Sequence, residues 1–168
     1  MREPPAWLAL LTSVAWIGHA LVTTMAPVYY APQSLLDYAA VVAYTTGLVL
    51  LAACVWTLRT AASRWIWTFA GAAAVGLFAA GVVNLFEDGF GLPLGWLYVA
   101  SASFGVVALV ALLIALLRER SWGIAILIAA TLGGLFLVST WFGGATLALT
   151  WVAQGMLVLR GPVVRKAS

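Results

Sequence analysis

Residues 121–159 read SWGIAILIAATLGGLFLVSTWFGGATLALTWVAQGMLVL, a run without a single charged side chain. A helix rising 1.5 Å per residue needs about 20 apolar residues to cross about 30 Å of hydrocarbon, so this stretch is close to twice one crossing. We divide it at Gly143-Gly144, a helix-weakening pair, into spans over about 122–141 and 145–159. The second of these is short. It either crosses by local thinning with Arg160 snorkelling outward, or it is re-entrant, and the choice between five and six crossings turns on it.

Upstream the same ruler yields four more spans, at about 7–26, 36–58, 65–86 and 93–117. The first lies between Pro4-Pro5 and Pro27, and it is longer than the apolar core of about 7–15 residues of a cleaved signal peptide, so we read it as a retained span. Composition agrees. The chain has 168 residues, of which 65% are hydrophobic and 8% charged, with a mean hydropathy of +1.10. A soluble domain carries roughly 25% charged residues to hydrate its surface, so the solvent of this chain is lipid. The expected fold is all-α: a polytopic integral membrane protein, one domain over 1–168, six transmembrane helices joined by short loops.

Basic residues test that division independently, because cytoplasmic loops keep Lys and Arg. Arg2 precedes the first span, Arg59 and Arg64 join the second to the third, Arg118 and Arg120 join the fourth to the fifth, and Arg160, Arg165 and Lys166 follow the sixth. All eight fall on one side with Glu3 and Glu119, whereas Asp37, Glu87 and Asp88 fall on the other. Both termini are then cytoplasmic and the span count is even. Seven of the nine tryptophans (Trp7, Trp56, Trp65, Trp67, Trp96, Trp122, Trp141) sit near predicted helix ends, at headgroup depth, while Trp16 and Trp151 fall within spans. Helices two, four and six each end in Leu-Arg, a faint likeness that the charge rule alone produces. The net charge of +3 therefore reads as a topology signal and not as a nucleic-acid patch.

Several chemistries are excluded by counting. Cys54 is the only cysteine, which rules out an internal disulfide, a Cys-pair redox motif and a multi-cysteine metal site. His19 is the only histidine, which rules out a bis-His haem within one chain, and the only lysine, Lys166, lies in the polar tail away from any bundle interior. No Walker loop, His-Glu-x-x-His or nucleophile elbow occurs, and no cofactor is named by the sequence.

Polar groups inside spans are functional candidates, since an unsatisfied polar group in hydrocarbon costs several kcal/mol. Thr12, Trp16, His19 and Thr23 form one stripe of helix one; Asp37, Tyr44 and Thr45 share a face of helix two; Gly76, Ala80, Asn84 and Glu87 share a narrow arc of helix three, with Asp88 at its rim. Helix four contributes Tyr98 and Ser101, and helix six Trp151 and Gln154. Nearly all lie in the outer half, which predicts an outward-facing polar and aromatic cavity. Its expected ligand-binding set is His19, Asp37, Tyr44, Asn84, Glu87, Asp88, Tyr98, Ser101, Trp151 and Gln154, with no metal site. Each has a plainer reading too: His19 as a packed helix contact, Asp37 as a helix cap, Glu87 and Asp88 as a solvated turn, Asn84 and Gln154 as interhelical glue.

Three functions follow from this set. The first is a binding site for a small molecule or ion, as in the membrane component of a transporter. The second is an accessory subunit docking a membrane-protein partner or a second copy through its small-residue stripes. The third is an enzyme acting on a lipid or isoprenoid-like substrate, with Glu87 or Asp88 as acid or base and His19 or Asp37 as partner. The expected location is the plasma membrane, with the bilayer as constant partner.

Overall fold

The computed structural model describes residues 4–25, 34–60 and 63–160, with the side chains of Thr60, Trp141 and Arg160 left aside. The described residues are helical throughout, without a strand: α1 (Ala6–Met25), α2 (Leu35–Thr57), α3 (Arg64–Asn84), α4 (Gly95–Arg118), α5 (Trp122–Phe136) and α6 (Trp141–Arg160). Helices are what lipid permits, because each backbone N–H and C=O must find its partner within the segment. Five stretches are long and apolar enough to cross a membrane, namely Ala6–Met25, Leu35–Thr57, Arg64–Gly89, Gly95–Arg118 and Phe142–Leu159. This is an all-helical integral membrane protein. At 15 residues α5 is the short helix, reaching about 22 Å at 1.5 Å per residue.

Each helix packs antiparallel on its neighbour in sequence, and α6 closes onto α1, so that the six form a ring. The core draws fully buried side chains from all six, including Trp16, Leu51, Val55, Ile66, Leu109, Leu116, Ile128, Leu147 and Trp151. Two contacts set the tightest approaches. A Cβ on Gly76 of α3 would stand 2.6 Å from Cα of Gly105 on α4. One on Gly144 of α6 would stand 3.2 Å from Cα of Ala20 on α1. Small residues let these backbones touch, and dispersion between them replaces the hydrophobic drive that lipid removes.

The break between α5 and α6 falls at 137–140, earlier than the Gly143-Gly144 pair. Thr140 explains it: its Oγ accepts from the Gly143 amide at 3.4 Å, in the position of an N-cap. Gly143 is inside the helix because the backbone of Leu137 and Val138 lies directly on it, where a Cβ would collide. The last helix is accordingly a full 20 residues and the preceding one is the short member.

The other ends have equally local causes. Ser34 and Asp37 form a capping box that starts α2: the Asp37 amide donates to Ser34 Oγ at 3.2 Å, and the Ser34 amide and hydroxyl donate to the Asp37 carboxylate at 2.9 and 2.8 Å. The amides of Arg120 and Ser121 return to the carbonyls of Leu117 and Leu116, with Arg120 at φ 56°, which closes α4 in a Schellman turn without its usual glycine. A single π-helical turn, Leu85–Gly89, continues α3 and carries Glu87 and Asp88. Because the helices alternate in direction, one end of the ring holds Arg59, Arg64, Arg118 and Arg120, and the other holds Asp37, Glu87 and Asp88.

Candidate functional site

At the acidic end, α2 and the turn between α5 and α6 meet His19 of α1, and α3 and α4 join through the residues of α2. The stripe of His19 places Trp16 one turn earlier, and the two rings meet edge to face with centroids 5.7 Å apart. Tyr44 of α2 completes a triangle, 5.9 Å from Trp16 and 5.1 Å from His19. Gly47 admits this packing, since a Cβ there would stand 2.9 Å from Cε2 of the Trp16 indole.

Polar contacts extend the triangle around the ring. The Tyr44 hydroxyl lies 2.6 Å from that of Tyr98 on α4, which joins two helices that are not ring neighbours. One residue along, Thr45 Oγ accepts from Asn84 Nδ2 of α3 at 3.2 Å. On the other side His19 Nε2 is 3.2 Å from the carbonyl oxygen of Val138, in the turn between α5 and α6. A carbonyl only accepts, so a ring nitrogen facing one must carry the proton, and the carbonyls of Val138 and Ala40 compete for the single proton of the neutral ring. Nδ1 closes no hydrogen bond although the side chain is only 7% exposed and runs near the Ala40 carbonyl. The indole N–H groups of Trp16 and Trp151, both fully buried, are likewise without partners. Native interiors seldom leave such groups unmatched.

The carboxylates sit apart from this triangle. Asp37 is engaged in the capping box. Glu87 folds over the first turn of α4, where its Oε1 would be 2.7 Å from a Cβ on Gly95, so the missing side chain there seats the carboxylate at the positive end of the helix. Asp88 is half-buried and within electrostatic range of Tyr44 and Tyr98.

Of the ten residues singled out in the sequence, the structure thus brings His19, Tyr44 and Tyr98 into one contact chain, with Asn84 attached through Thr45 and Asp88 nearby. Asp37 and Glu87 serve helix starts. Ser101 and Gln154 are half-buried on α4 and α6, and Trp151 is packed in the core. Three participants are additional to that set. Trp16 was visible on the His19 stripe and Thr45 on the Tyr44 face, whereas the Val138 carbonyl is backbone and leaves no mark in a side-chain pattern. Elsewhere Cys54 bonds to Thr12 at 3.3 Å; the Thr12 hydroxyl already donates to the Leu8 carbonyl, so the thiol is the donor. Among the described residues no three His, Cys, Asp or Glu side chains converge as a metal site would require. Comparison of the chain with protein families, with curated proteins and with solved structures returns no match in any of the three.

Proposed function

We propose that this chain crosses the membrane six times with both termini in the cytoplasm, and that it holds a small polar molecule or ion in its outer half, beside Trp16, His19 and Tyr44. One observation carries the binding site: a buried ring nitrogen, His19 Nδ1, and a buried donor, Trp16 Nε1, stand without a well-formed hydrogen bond on adjacent, touching rings. A ligand offering an acceptor to the indole and a polar atom to the imidazole would satisfy both. The separation of basic from acidic ends supports the orientation, since Lys and Arg are retained on the cytoplasmic side. With that orientation the cytoplasmic half of the ring is filled by Leu51, Val55, Leu109, Leu112 and Leu116, all fully buried. A transport role would therefore need a partner or a substantial rearrangement of these helices.

The competing readings have less to stand on. On the small-residue arc of α3, Gly76 already meets Gly105 of α4 in the same chain, so that part of the arc is in use within the ring. An acid/base enzyme needs a carboxylate beside His19; Asp37 is engaged in its capping box and Glu87 lies over Gly95, which leaves Asp88, half-buried near Tyr44 and Tyr98, as the one such a reading would use.

Topology is checked with single cysteines in a Cys54→Ala background. Leu92→Cys and Ser139→Cys label with an impermeant maleimide from outside intact cells, and Ser121→Cys labels only after permeabilisation; an externally labelled Ser121→Cys overturns the orientation. Binding is checked by native mass spectrometry of the purified chain. The wild type carries a small-molecule adduct, and His19→Ala and Tyr44→Phe lose at least about tenfold in occupancy, the equivalent of one hydrogen bond. Equal adducts on wild type and both variants, at unchanged melting temperature, reject the site.

A further inference from the structure

At the basic end the guanidinium of Arg59 is stacked between two indoles, its Cζ 3.7 Å from the Trp56 ring centroid and 3.9 Å from that of Trp67. Its stem is laid against Gly71, where a Cβ would stand 3.5 Å from Cδ and 3.4 Å from Nε. The head therefore stays level with Gly71, seven residues from the start of α3. That is about 10 Å along the helix axis, whereas an arginine free to snorkel extends past the helix end to water. Nε is buried without a partner, and Arg59 makes no ion pair among the described residues. Trp56 and Trp67 are each 49% exposed, so the sandwich lies at the lipid-facing surface of the α2–α3 hairpin.

These facts set what an occupant must be. Both faces of the guanidinium are covered by π-clouds, which stabilise the cation but satisfy none of its N–H groups. The donors that remain lie along the edge of the plane, in the fork that matches two oxygens of a phosphate. A cation held at the lipid-facing surface of the hairpin, short of the helix end and with no ion-pair partner among the described residues, selects an anion supplied by the surroundings, and in a bilayer that anion is a phosphodiester. We propose that Trp56, Arg59 and Trp67 form a binding site for the phosphate of an anionic phospholipid, with the indoles fixing the guanidinium and packing against the lipid's glycerol region. The site is independent of the His19 cluster, of the number of crossings and of which leaflet this end occupies.

The test uses the full chain purified in detergent, with dioleoyl phosphatidylglycerol, dioleoyl phosphatidylcholine and inorganic phosphate as separate probes, read by native mass spectrometry and by thermal unfolding. The wild type is expected to retain phosphatidylglycerol about tenfold over phosphatidylcholine, the value of one charge-assisted pair, and to melt higher with phosphatidylglycerol but not with inorganic phosphate. Arg59→Gln should lose both effects. Arg59→Lys, which keeps the charge without the planar fork, should lose most of the selectivity while folding normally, and it decides the matter if the glutamine variant does not fold. Arg118→Gln, at the same end but without indole partners, should behave as wild type. Retained selectivity in a folded Arg59→Gln or Arg59→Lys overturns the site, as does an equal loss in Arg118→Gln. Stabilisation by inorganic phosphate as strong as that by phosphatidylglycerol overturns the assignment to lipid.

Discussion

Gly76→Leu is expected to leave little folded protein in detergent. A side chain at this position meets Gly105 N and Cα and the Phe104 ring, and the first two are backbone that cannot rotate away. Overpacking a core typically costs 1–3 kcal/mol where side chains yield, so a helix pair forced apart should lose more than about 3 kcal/mol. Gly76→Ala should show an intermediate loss, because even one methyl group would stand 2.6 Å from Gly105 Cα. Gly133 provides the contrast on α5: nothing lies within 4 Å of its Cβ direction, so Gly133→Ala should be neutral or stabilising by about 0.5–1 kcal/mol through helix propensity alone. Melting temperature and the monodisperse fraction on size exclusion measure all three. A Gly76→Leu protein that melts with the wild type would mean that α3 and α4 do not cross here, and Asn84 would lose its inward placement.

Trp16→Ala carries the second large effect, and it bears on the candidate site as well as on the core. The indole is fully buried, touches His19 and Tyr44, and lies across Gly47. Its removal opens a cavity that the lipid outside cannot fill, at a cost of about 3–5 kcal/mol. Trp96→Ala, from a ring 72% exposed at a helix start, should stay within about 0.5 kcal/mol. Coupling to Gly47 makes the test specific. In the wild type a Cβ at that position presses on Trp16 Cε2 and Gly47→Ala should destabilise, whereas in the Trp16→Ala background the same substitution should cost nothing or fill part of the void. Additive losses in that double-mutant cycle would place the indole elsewhere and remove one of the two unpartnered groups on which the proposed ligand site rests.

Solvent class and helix positions were legible in the chain itself, because both follow from local quantities. An unbroken apolar run has few options in a bilayer, and Arg59, Arg118 and Arg120 mark helix ends wherever the helices later pack. The stripe of Thr12, Trp16, His19 and Thr23 was equally local, since helical periodicity puts those side chains on one face before any neighbour is known. Packing partners were not legible. Gly143-Gly144 reads as a break by propensity, yet both glycines lie inside α6, because absence of a side chain marks a close approach as well as a helix end; only the turn at Leu137–Val138 and the backbone of α1 show which. Asp37 and Glu87 had the composition of site residues, and what set their surroundings was Ser34 three residues away in one case and Gly95 across a turn in the other. The meeting of His19 with the Val138 carbonyl depends on closing the ring of α6 onto α1, which brings residues 119 positions apart to within one hydrogen bond. Spans are chosen by hydropathy, summed along the chain; sites are made where helices touch, and that choice belongs to the shapes of their faces.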